Sequence, residues 1–219
     1  MNTAFANVIG SVTDILYRIP AVILAFTIHE FMHAYVAVKA GDNTPINQGR
    51  YTLNPLKHID PIGFIMVLLV GVGWAKPVQI NINNFENKRK SYMMVSLAGV
   101  LGNLMLAFVI YALIFFSPQV FASNVIVYNI LIYTVHLNLM LIWLNILPVP
   151  PLDGFNVLTT LVHFKNMNAI YTLKRYGFFI LIALMFFGIL GRYISFMSGL
   201  TLAGFTALFD LIQRLAGLV

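Results

Sequence analysis

The sequence contains no cysteine, which excludes disulfide bonds and metal sites built from thiolates. Histidine, aspartate and glutamate are the strong metal ligands that remain, and the chain has only five histidines and seven acidic residues. A metal site would therefore have to be assembled from a short set of candidates.

Charged residues are scarce as well, at 9% of the 219 residues, whereas hydrophobic residues make up 60% and the mean hydropathy is +0.86. Such values exclude a soluble globular protein and predict an integral membrane protein. The first ten residues lack the basic and apolar pattern of a signal peptide, so we expect the first apolar segment to belong to the fold. The net charge is +6, but the basic residues lie beside apolar segments, where they set topology, and we expect no nucleic-acid partner.

The apolar segments predict an all-α, polytopic membrane protein with about five transmembrane helices. No internal repeat is visible, so we expect one membrane-embedded domain over residues 1–219, with a core at about 12–163 and C-terminal helices at about 174–217. The predicted spans cover residues 14–40, 92–116, 125–147, 178–190 and 194–211, and Gly191-Arg192 separates the last two.

Two short segments between the first two spans alternate apolar and polar side chains. They cover residues 49–55 and 76–83, and their period of two predicts a small β-hairpin or sheet on the membrane surface. The apolar segment 61–74 between them is too short to cross a bilayer and contains three glycines. We therefore expect a re-entrant element whose two ends lie on the same side of the membrane.

Lysine and arginine are distributed unevenly about these spans, which predicts the orientation in the membrane. By the positive-inside rule, a multi-pass protein of the cell membrane would have the C-terminal end of its first helix at the cytoplasmic face. On that side fall Lys39, Arg50, Lys57, Lys76, Lys88, Arg89, Lys90, Lys165, Lys174, Arg175 and Arg214, and on the other side only Arg18 and Arg192.

The first predicted helix contains a His-Glu-x-x-His motif, formed by His29, Glu30 and His33. Because a helix turns about 100° per residue, side chains four positions apart lie on one face, so both imidazoles can bind one metal ion. Glu30 lies one position further round, where it can act as general base on a metal-activated water without being a ligand. Ionisable groups in an apolar span cost at least about 2.5 kcal/mol each, and binding a cation would offset that cost.

Catalytic zinc usually takes three protein ligands, so the two histidines need a partner. Asp153 is the preferred candidate, because three prolines break the helix before it and irregular backbone at membrane depth is tolerated where it lines a cavity. Asp153 could instead cap the helix that begins near Gly154. His136 is a rival ligand in the middle of a span, although its helix face suits a hydrogen-bonded structural role better.

Three further polar residues are candidates for roles beside the metal. Asn103 and Asn145 could donate hydrogen bonds to a substrate backbone or to the oxyanion formed during hydrolysis. Asn103 could equally hold two helices together. His58 could line the entrance of the site, hold a metal ligand in place without binding the metal, or belong only to a turn.

Taken together, these residues resemble the site-2 protease family of intramembrane zinc metalloproteases. Two signatures carry the resemblance, in the family's order: His29-Glu30-x-x-His33, and Asn145-x-x-Pro148 followed by Leu152-Asp153-Gly154. Residues 49–55 and 74–78 also resemble stretches of compact bacterial members, so the resemblance covers residues 20–160. The family often has a proline where this chain has Val100, which leaves the role of Asn103 open.

The resemblance implies that His29, His33 and Asp153 bind one zinc ion and that Glu30 activates the water. It implies hydrolysis of peptide bonds within or near transmembrane segments of membrane-protein substrates, as in regulated intramembrane proteolysis. The chain has no room for the PDZ or CBS domains of larger members, so we expect no gating by them. The lipid bilayer is the other expected partner, and the sequence leaves a homo-oligomer open.

Two other functions fit the motif less well. A divalent-metal transporter would use the same residues as a transit site, but the outer halves of the spans nearly lack the polar groups it needs. An inactive relative that only binds membrane segments would need no base, and Glu30 argues against it. Zinc is preferred on ligand type, although two histidines and one carboxylate accept several metals.

Overall fold

The computed structural model describes residues 12–71, 73–162 and 167–217, and this part of the chain is predominantly helical. The expectations about the first ten residues and about Lys165 lie outside the described residues. The helices within them are α1 (Val12–Lys39), α2 (Thr44–Asn47), α3 (Pro61–Val70), α4 (Lys88–Phe116), α5 (Pro118–Ala122), α6 (Val125–Asn145), α7 (Asp153–Leu161), α8 (Met167–Phe186) and α9 (Ile189–Leu215).

Four of these helices, α1, α4, α6 and α9, are long and apolar enough to cross a membrane. Two of these helices begin at an asparagine whose side chain accepts a backbone hydrogen bond, since Asn87 caps α4 and Asn124 caps α6. The prediction of a polytopic, mainly helical membrane protein is confirmed.

The predicted span 178–190, the fourth in chain order, is not among the candidate spans of the described residues. The helix break lies at Gly188, whose φ of +67° ends the preceding segment, and not at Gly191-Arg192. The predicted span 178–190 therefore crosses the end of α8.

The predicted surface β-hairpin or sheet is not supported. Within the described residues, β-pairing is limited to one isolated antiparallel bridge between Ile59 and Ala75, which lie outside the two segments. The backbone N–H groups of Val78 and Asn81 donate instead to the carboxylates of Glu30 and Asp42, both at 2.8 Å. Because these donors bind side chains of α1 and the residues after it, no ladder with residues 49–55 forms.

The segment predicted to be re-entrant contains one short helix, and its two ends lie close together. Helix α3 spans only ten residues, begins at a cap formed by Asp60 and ends at Gly71. The bridge between Ile59 and Ala75 brings its two ends together. The returning chain packs against the first turn of α3 so closely that a Cβ at Gly63 would lie 2.1 Å from the Trp74 carbonyl oxygen.

Residues 75–84, which we call the strap, are fastened to the end of α1 by a fully buried carboxylate. Asp42 Oδ2 accepts from the backbone N–H of Asn81 at 2.8 Å, and Oδ1 accepts from Asn84 Nδ2 at 2.7 Å. Oδ1 also accepts from the backbone N–H of Thr44 at 3.0 Å. Asp42 therefore fixes the position of the strap relative to the helix that carries the histidines.

Candidate metal centre

The structure brings the side chain of Asp153 together with those of His29 and His33, although Asp153 lies at least 120 positions after them in the sequence. The two Nε2 atoms are 3.1 Å apart, and Asp153 Oδ2 lies 3.3 Å from His29 Nε2 and 3.2 Å from His33 Nε2. The three side chains form a group of ligand atoms that could hold a metal ion. Both histidines are buried, and Asp153 is mostly buried.

These separations fit zinc. Zinc binds histidine nitrogen and carboxylate oxygen at about 2.0–2.2 Å, so two ligands of a tetrahedral ion lie about 3.3 Å apart. The Oδ2 atom of Asp153 is also a buried oxygen without a hydrogen-bond partner among the described residues. A buried oxygen aimed at two imidazole nitrogens is the arrangement that a shared cation would stabilise.

The ring of His33 is held in the tautomer that metal binding needs. Its Nδ1 lies 2.7 Å from the carbonyl oxygen of Val95 on α4. Because a carbonyl can only accept, Nδ1 carries the proton and Nε2 presents its lone pair towards Asp153 and His29. The backbone of α4 thus orients one of the three proposed ligands.

Close approach of α4 to the histidines requires a residue without a side chain. A Cβ at Gly99 would lie 2.5 Å from His33 Nε2 and 2.6 Å from His29 Cε1. Glycine at this position therefore lets the wall of the site reach the imidazole rings.

Helix α7 carries Asp153 at its first position, and contacts at both of its ends fix it. A Cβ at Gly154 would lie 2.2 Å from the Ile146 carbonyl oxygen, so the start of α7 packs directly on the end of α6. At the other end, Arg89 donates to the carbonyl oxygens of Thr160 at 2.7 Å and Leu161 at 2.9 Å. The carboxylate of Asp153 forms no side-chain cap of α7, which disfavours the capping alternative.

The electrostatic surroundings keep the Asp153 carboxylate ionised. Burial raises the pKa of this carboxyl, but attraction to His33 and His29 when these rings are protonated outweighs burial and lowers the pKa below its usual value. An ionised carboxylate is the form that binds a metal ion.

A cavity of about 510 Å³ opens beside the three ligands. The buried side chain of Glu30 lies in its wall, with Oε2 accepting the N–H of Val78 from the strap at 2.8 Å. The wall thus combines a candidate base with the candidate metal ligands. The polar residues of the wall are His29, Glu30, His33, Tyr92, Ser96, Asn145, Asp153 and Asn156.

The two candidate asparagines lie in different places. Asn145 is in the cavity wall, as its predicted role requires, and its Nδ2 donates to the Leu141 carbonyl oxygen at 3.0 Å. Asn103 is fully buried away from that wall, and neither polar atom of its side chain has a partner among the described residues. The predicted contact of Asn103 with substrate therefore has no support from its position.

The remaining histidine candidates lie outside the cavity wall. His58 is fully buried, and its Nε2 donates to the Thr52 carbonyl oxygen at 2.7 Å, which fits a structural role in the loop. His136 donates from Nδ1 to the Ile132 carbonyl oxygen at 2.9 Å and lines a separate cavity of about 590 Å³. The structure thus does not place His136 with the metal ligands.

Sequence reasoning missed several contributors to the site. Asn156 lies three positions after Asp153, a helical spacing that would have predicted its place in the wall. The carbonyl of Val95 and the N–H of Val78 act through the backbone, and nothing in the sequence distinguishes such groups.

Curated relatives of this chain bear the name zinc metalloprotease. "Putative zinc metalloprotease YwhC" of Bacillus subtilis (strain 168) is 38% identical over 183 residues, which cover 81% of this chain and 83% of the relative. "Putative zinc metalloprotease MJ0611" of Methanocaldococcus jannaschii is 32% identical over 149 residues, covering 68% and 72% of the two chains. "Putative zinc metalloprotease Rip2" of Mycolicibacterium smegmatis is 29% identical over 179 residues, covering 78% and 67%.

No protein-family model matches the chain, and no solved structure matches it. The names of the curated relatives nevertheless identify zinc as the cofactor, in agreement with the cluster of two histidines and one carboxylate.

Proposed function

Because the chain belongs to the site-2 protease family of zinc metalloproteases, we propose that it hydrolyses peptide bonds within or beside transmembrane segments of membrane proteins. The observation that carries this proposal is the joint placement of Glu30 and the His29, His33 and Asp153 cluster in one cavity wall. The motif lies in a candidate membrane span, which supports a substrate that is itself embedded in the bilayer.

In this proposal, His29, His33 and Asp153 hold the zinc ion, and Glu30 acts as the base. When bound, zinc supplies a Lewis acid that polarises the scissile carbonyl and lowers the pKa of a water towards about 7. The strap N–H of Val78 holds Glu30 Oε2, which leaves Oε1 to take a proton from the attacking water. Glu30 then passes that proton to the amine nitrogen of the leaving peptide.

The strap gives the cavity a backbone surface on which a substrate could be held in an extended form. A helical substrate must unwind locally, because its peptide bonds are otherwise hidden within its own hydrogen bonds. Val78, Ile80 and Ile82 line the cavity in alternation, and the N–H group of Ile80 makes no hydrogen bond within the described residues. We propose that the substrate pairs with this edge.

Proline substitution tests the pairing with the strap. Ile80→Pro removes one free N–H, and we expect it to slow cleavage while zinc content stays unchanged, because Ile80 is not itself a proposed ligand. Ile80→Ala is the matched control, since it shortens the side chain but keeps the N–H. Equal cleavage by the proline and alanine variants would contradict pairing at this position.

The proposed setting is the cell membrane, with the metal site nearer the cytoplasmic face. The distribution of lysine and arginine supports this orientation, since Lys39, Lys88, Arg89 and Lys90 lie at the ends of α1 and α4 nearest the histidines. A transmembrane protein substrate and the surrounding lipid are the proposed partners.

The decisive experiment removes the base without removing a ligand. We expect Glu30→Gln to retain wild-type zinc but to lose cleavage of single-span membrane proteins in proteoliposomes, because the amide cannot accept the proton. Zinc is measured by elemental analysis, and cleavage by the release of tagged fragments. Glu86→Gln is the matched control, since Glu86 is exposed and outside the cavity wall.

The same variant separates the alternative functions. A divalent-metal transporter or a membrane-segment binder needs no base, so Glu30→Gln would then still move metal or bind segments as well as wild type does. Unchanged cleavage by Glu30→Gln would overturn the proposed mechanism.

A further inference from the structure

A second pocket lies on the other side of the strap from the metal site and contains no acidic residue. Its volume is about 460 Å³, and it is lined by Gln48, Arg50, Lys76, Pro77 and Gln79. Pro77 also lines the cavity of the metal site, so the strap separates the two spaces. The amide of Gln48 donates to that of Gln79 at 2.9 Å and closes one edge of the pocket.

Arg50 is a buried cation, and few protein groups neutralise its charge or accept its hydrogen bonds. Only 8% of the residue is exposed, and its one hydrogen bond within the described residues is a long contact of 3.5 Å from Nη1 to the Lys76 carbonyl oxygen. No carboxylate of the described residues lies within salt-bridge distance of Arg50 or Lys76. A buried guanidinium is costly unless its charge and donors are satisfied, so the pocket favours binding of an anion.

The chemistry of the pocket selects a phosphate group. A guanidinium presents paired donors that match two phosphate oxygens, and the Lys76 ammonium adds a second positive charge. The amide side chains of Gln48 and Gln79 offer further hydrogen bonds at the rim.

The surroundings of the pocket indicate that the phosphate belongs to a lipid. Arg50 lies eleven positions after the end of α1, which is a candidate membrane span. Exposed apolar and aromatic side chains surround this loop, as is typical of the boundary between headgroups and acyl chains. They are Ile46, Tyr51, Leu53, Leu56 and Trp74, and Leu56 is 82% exposed.

We propose that this pocket binds the phosphate of an anionic phospholipid headgroup, with Arg50 and Lys76 as its two cationic contacts. The lipid would then hold the outer face of the strap, while Glu30 and Asp42 hold its inner face and its end. The proposal concerns lipid binding alone and does not depend on whether the chain is a protease.

The test measures lipid retention by native mass spectrometry. Delipidated full-length protein in detergent is mixed with equal amounts of phosphatidylglycerol and phosphatidylcholine, and the bound lipids are counted. We expect wild type to prefer phosphatidylglycerol, and Arg50→Gln to reduce that binding about fivefold or more, as expected for one lost cationic contact. Lys76→Gln should act in the same direction, and it changes an exposed side chain that folding does not require.

A matched control separates the pocket from general surface charge. Lys57→Gln removes a positive charge from the same loop region but not from the pocket, so we expect wild-type phosphatidylglycerol binding. An equal loss in Lys57→Gln, or full retention in both Arg50→Gln and Lys76→Gln, would overturn the proposal. In a second arm, inorganic phosphate is added at the same concentration as phosphatidylglycerol. Displacement of the lipid would show that the pocket is a site for free phosphate instead of lipid.

Discussion

At the scale of single residues, Asp153 completes the metal site from a helix that lies far from the motif in sequence. The sequence predicted this residue because few acids were available and because prolines precede it. It could not predict that the carboxylate lies 3.2 Å from His33 Nε2, since that distance depends on how α7 packs against α4 and α6. The final distance is thus a property of tertiary packing.

Removing the Asp153 carboxylate tests its role without knowledge of the substrate. We expect Asp153→Ala to bind zinc at least about 100-fold more weakly than wild type, because two imidazoles alone leave the ion short of a ligand. Zinc per chain is measured after purification in detergent and after titration with a chelator. Asp210→Ala is the control, since Asp210 is exposed on α9, and equal zinc retention in both variants would exclude Asp153 as a ligand.

Asn103 shows the limit of residue-scale prediction from sequence. Its depth in α4 follows from counting, but the direction of its side chain depends on the rotation of the helix against its neighbours. The structure buries Asn103 completely and leaves both polar atoms of its side chain without a partner among the described residues. Depth alone was therefore insufficient to predict a contact with the cavity.

At the scale of elements, the approach of α4 to α1 depends on glycine. Gly99→Ala would place a methyl group 2.5 Å from His33 Nε2, and we expect it to destabilise the protein by about 1–3 kcal/mol. Zinc affinity should also fall about tenfold, because the imidazoles must move. Gly204→Ala on α9 is the control, since a Cβ there meets nothing within 4 Å, and equal thermal stability and zinc affinity in the two variants would contradict this account.

The strap shows why alternating sequence was misleading. Residues 76–83 have the period of a strand, yet strands need backbone partners, and Val78 and Asn81 donate to carboxylates 48 and 39 positions away. Sequence periodicity reports which side chains share a face, and the strap does keep alternate residues in the cavity wall. It does not report where the backbone hydrogen bonds go.

Asp42 should control the strap in a manner that depends on pH. Burial raises the pKa of its carboxyl, but hydrogen bonds from Thr44, Asn81 and Asn84 outweigh burial and lower the pKa below its usual value. A lowered folded pKa means that the ionised group stabilises the fold fully above about pH 4 and loses this contribution as the pH falls through the folded pKa. At neutral pH the ionised Asp42 therefore makes its full contribution to the stability of the fold at the strap.

Asp42→Asn should loosen the strap at neutral pH. The amide replaces an acceptor by a donor, and we expect hydrogen exchange over residues 77–84 to accelerate at least about tenfold, as for a lost charged hydrogen bond. Asp60→Asn removes a charge from the cap of α3 instead, so it should leave exchange in the strap unchanged. Wild-type protection of the strap in Asp42→Asn would show that other contacts hold it.

At the scale of the whole molecule, the lipid-facing surface explains which spans the sequence predicted well. Helices α1, α4 and α6 pack together around the site, and their predicted ranges agree with the structure to within a few residues. Helices α8 and α9 present exposed apolar side chains along much of their length, such as Phe186 at 82%. Apolar side chains continue across the turn at Gly188, so hydropathy alone could not locate that boundary.

The proposed orientation of the molecule makes a sharp prediction, because a chain without cysteine can be labelled at single introduced thiols. Lys57→Cys lies at the end that carries the metal site, and Ser123→Cys lies in the turn between α5 and α6 at the opposite end. If the positive-inside rule sets the topology, a membrane-impermeant maleimide should label Ser123→Cys in intact cells and Lys57→Cys only after permeabilisation.

Both positions are exposed, so equal labelling after permeabilisation is the internal control for reactivity. The reverse pattern in intact cells would place the metal site at the outer face. It would also place Arg50 and Lys76 away from the negative surface potential of the cytoplasmic leaflet. The orientation of the whole chain therefore decides which lipids and which ends of a substrate can reach the site.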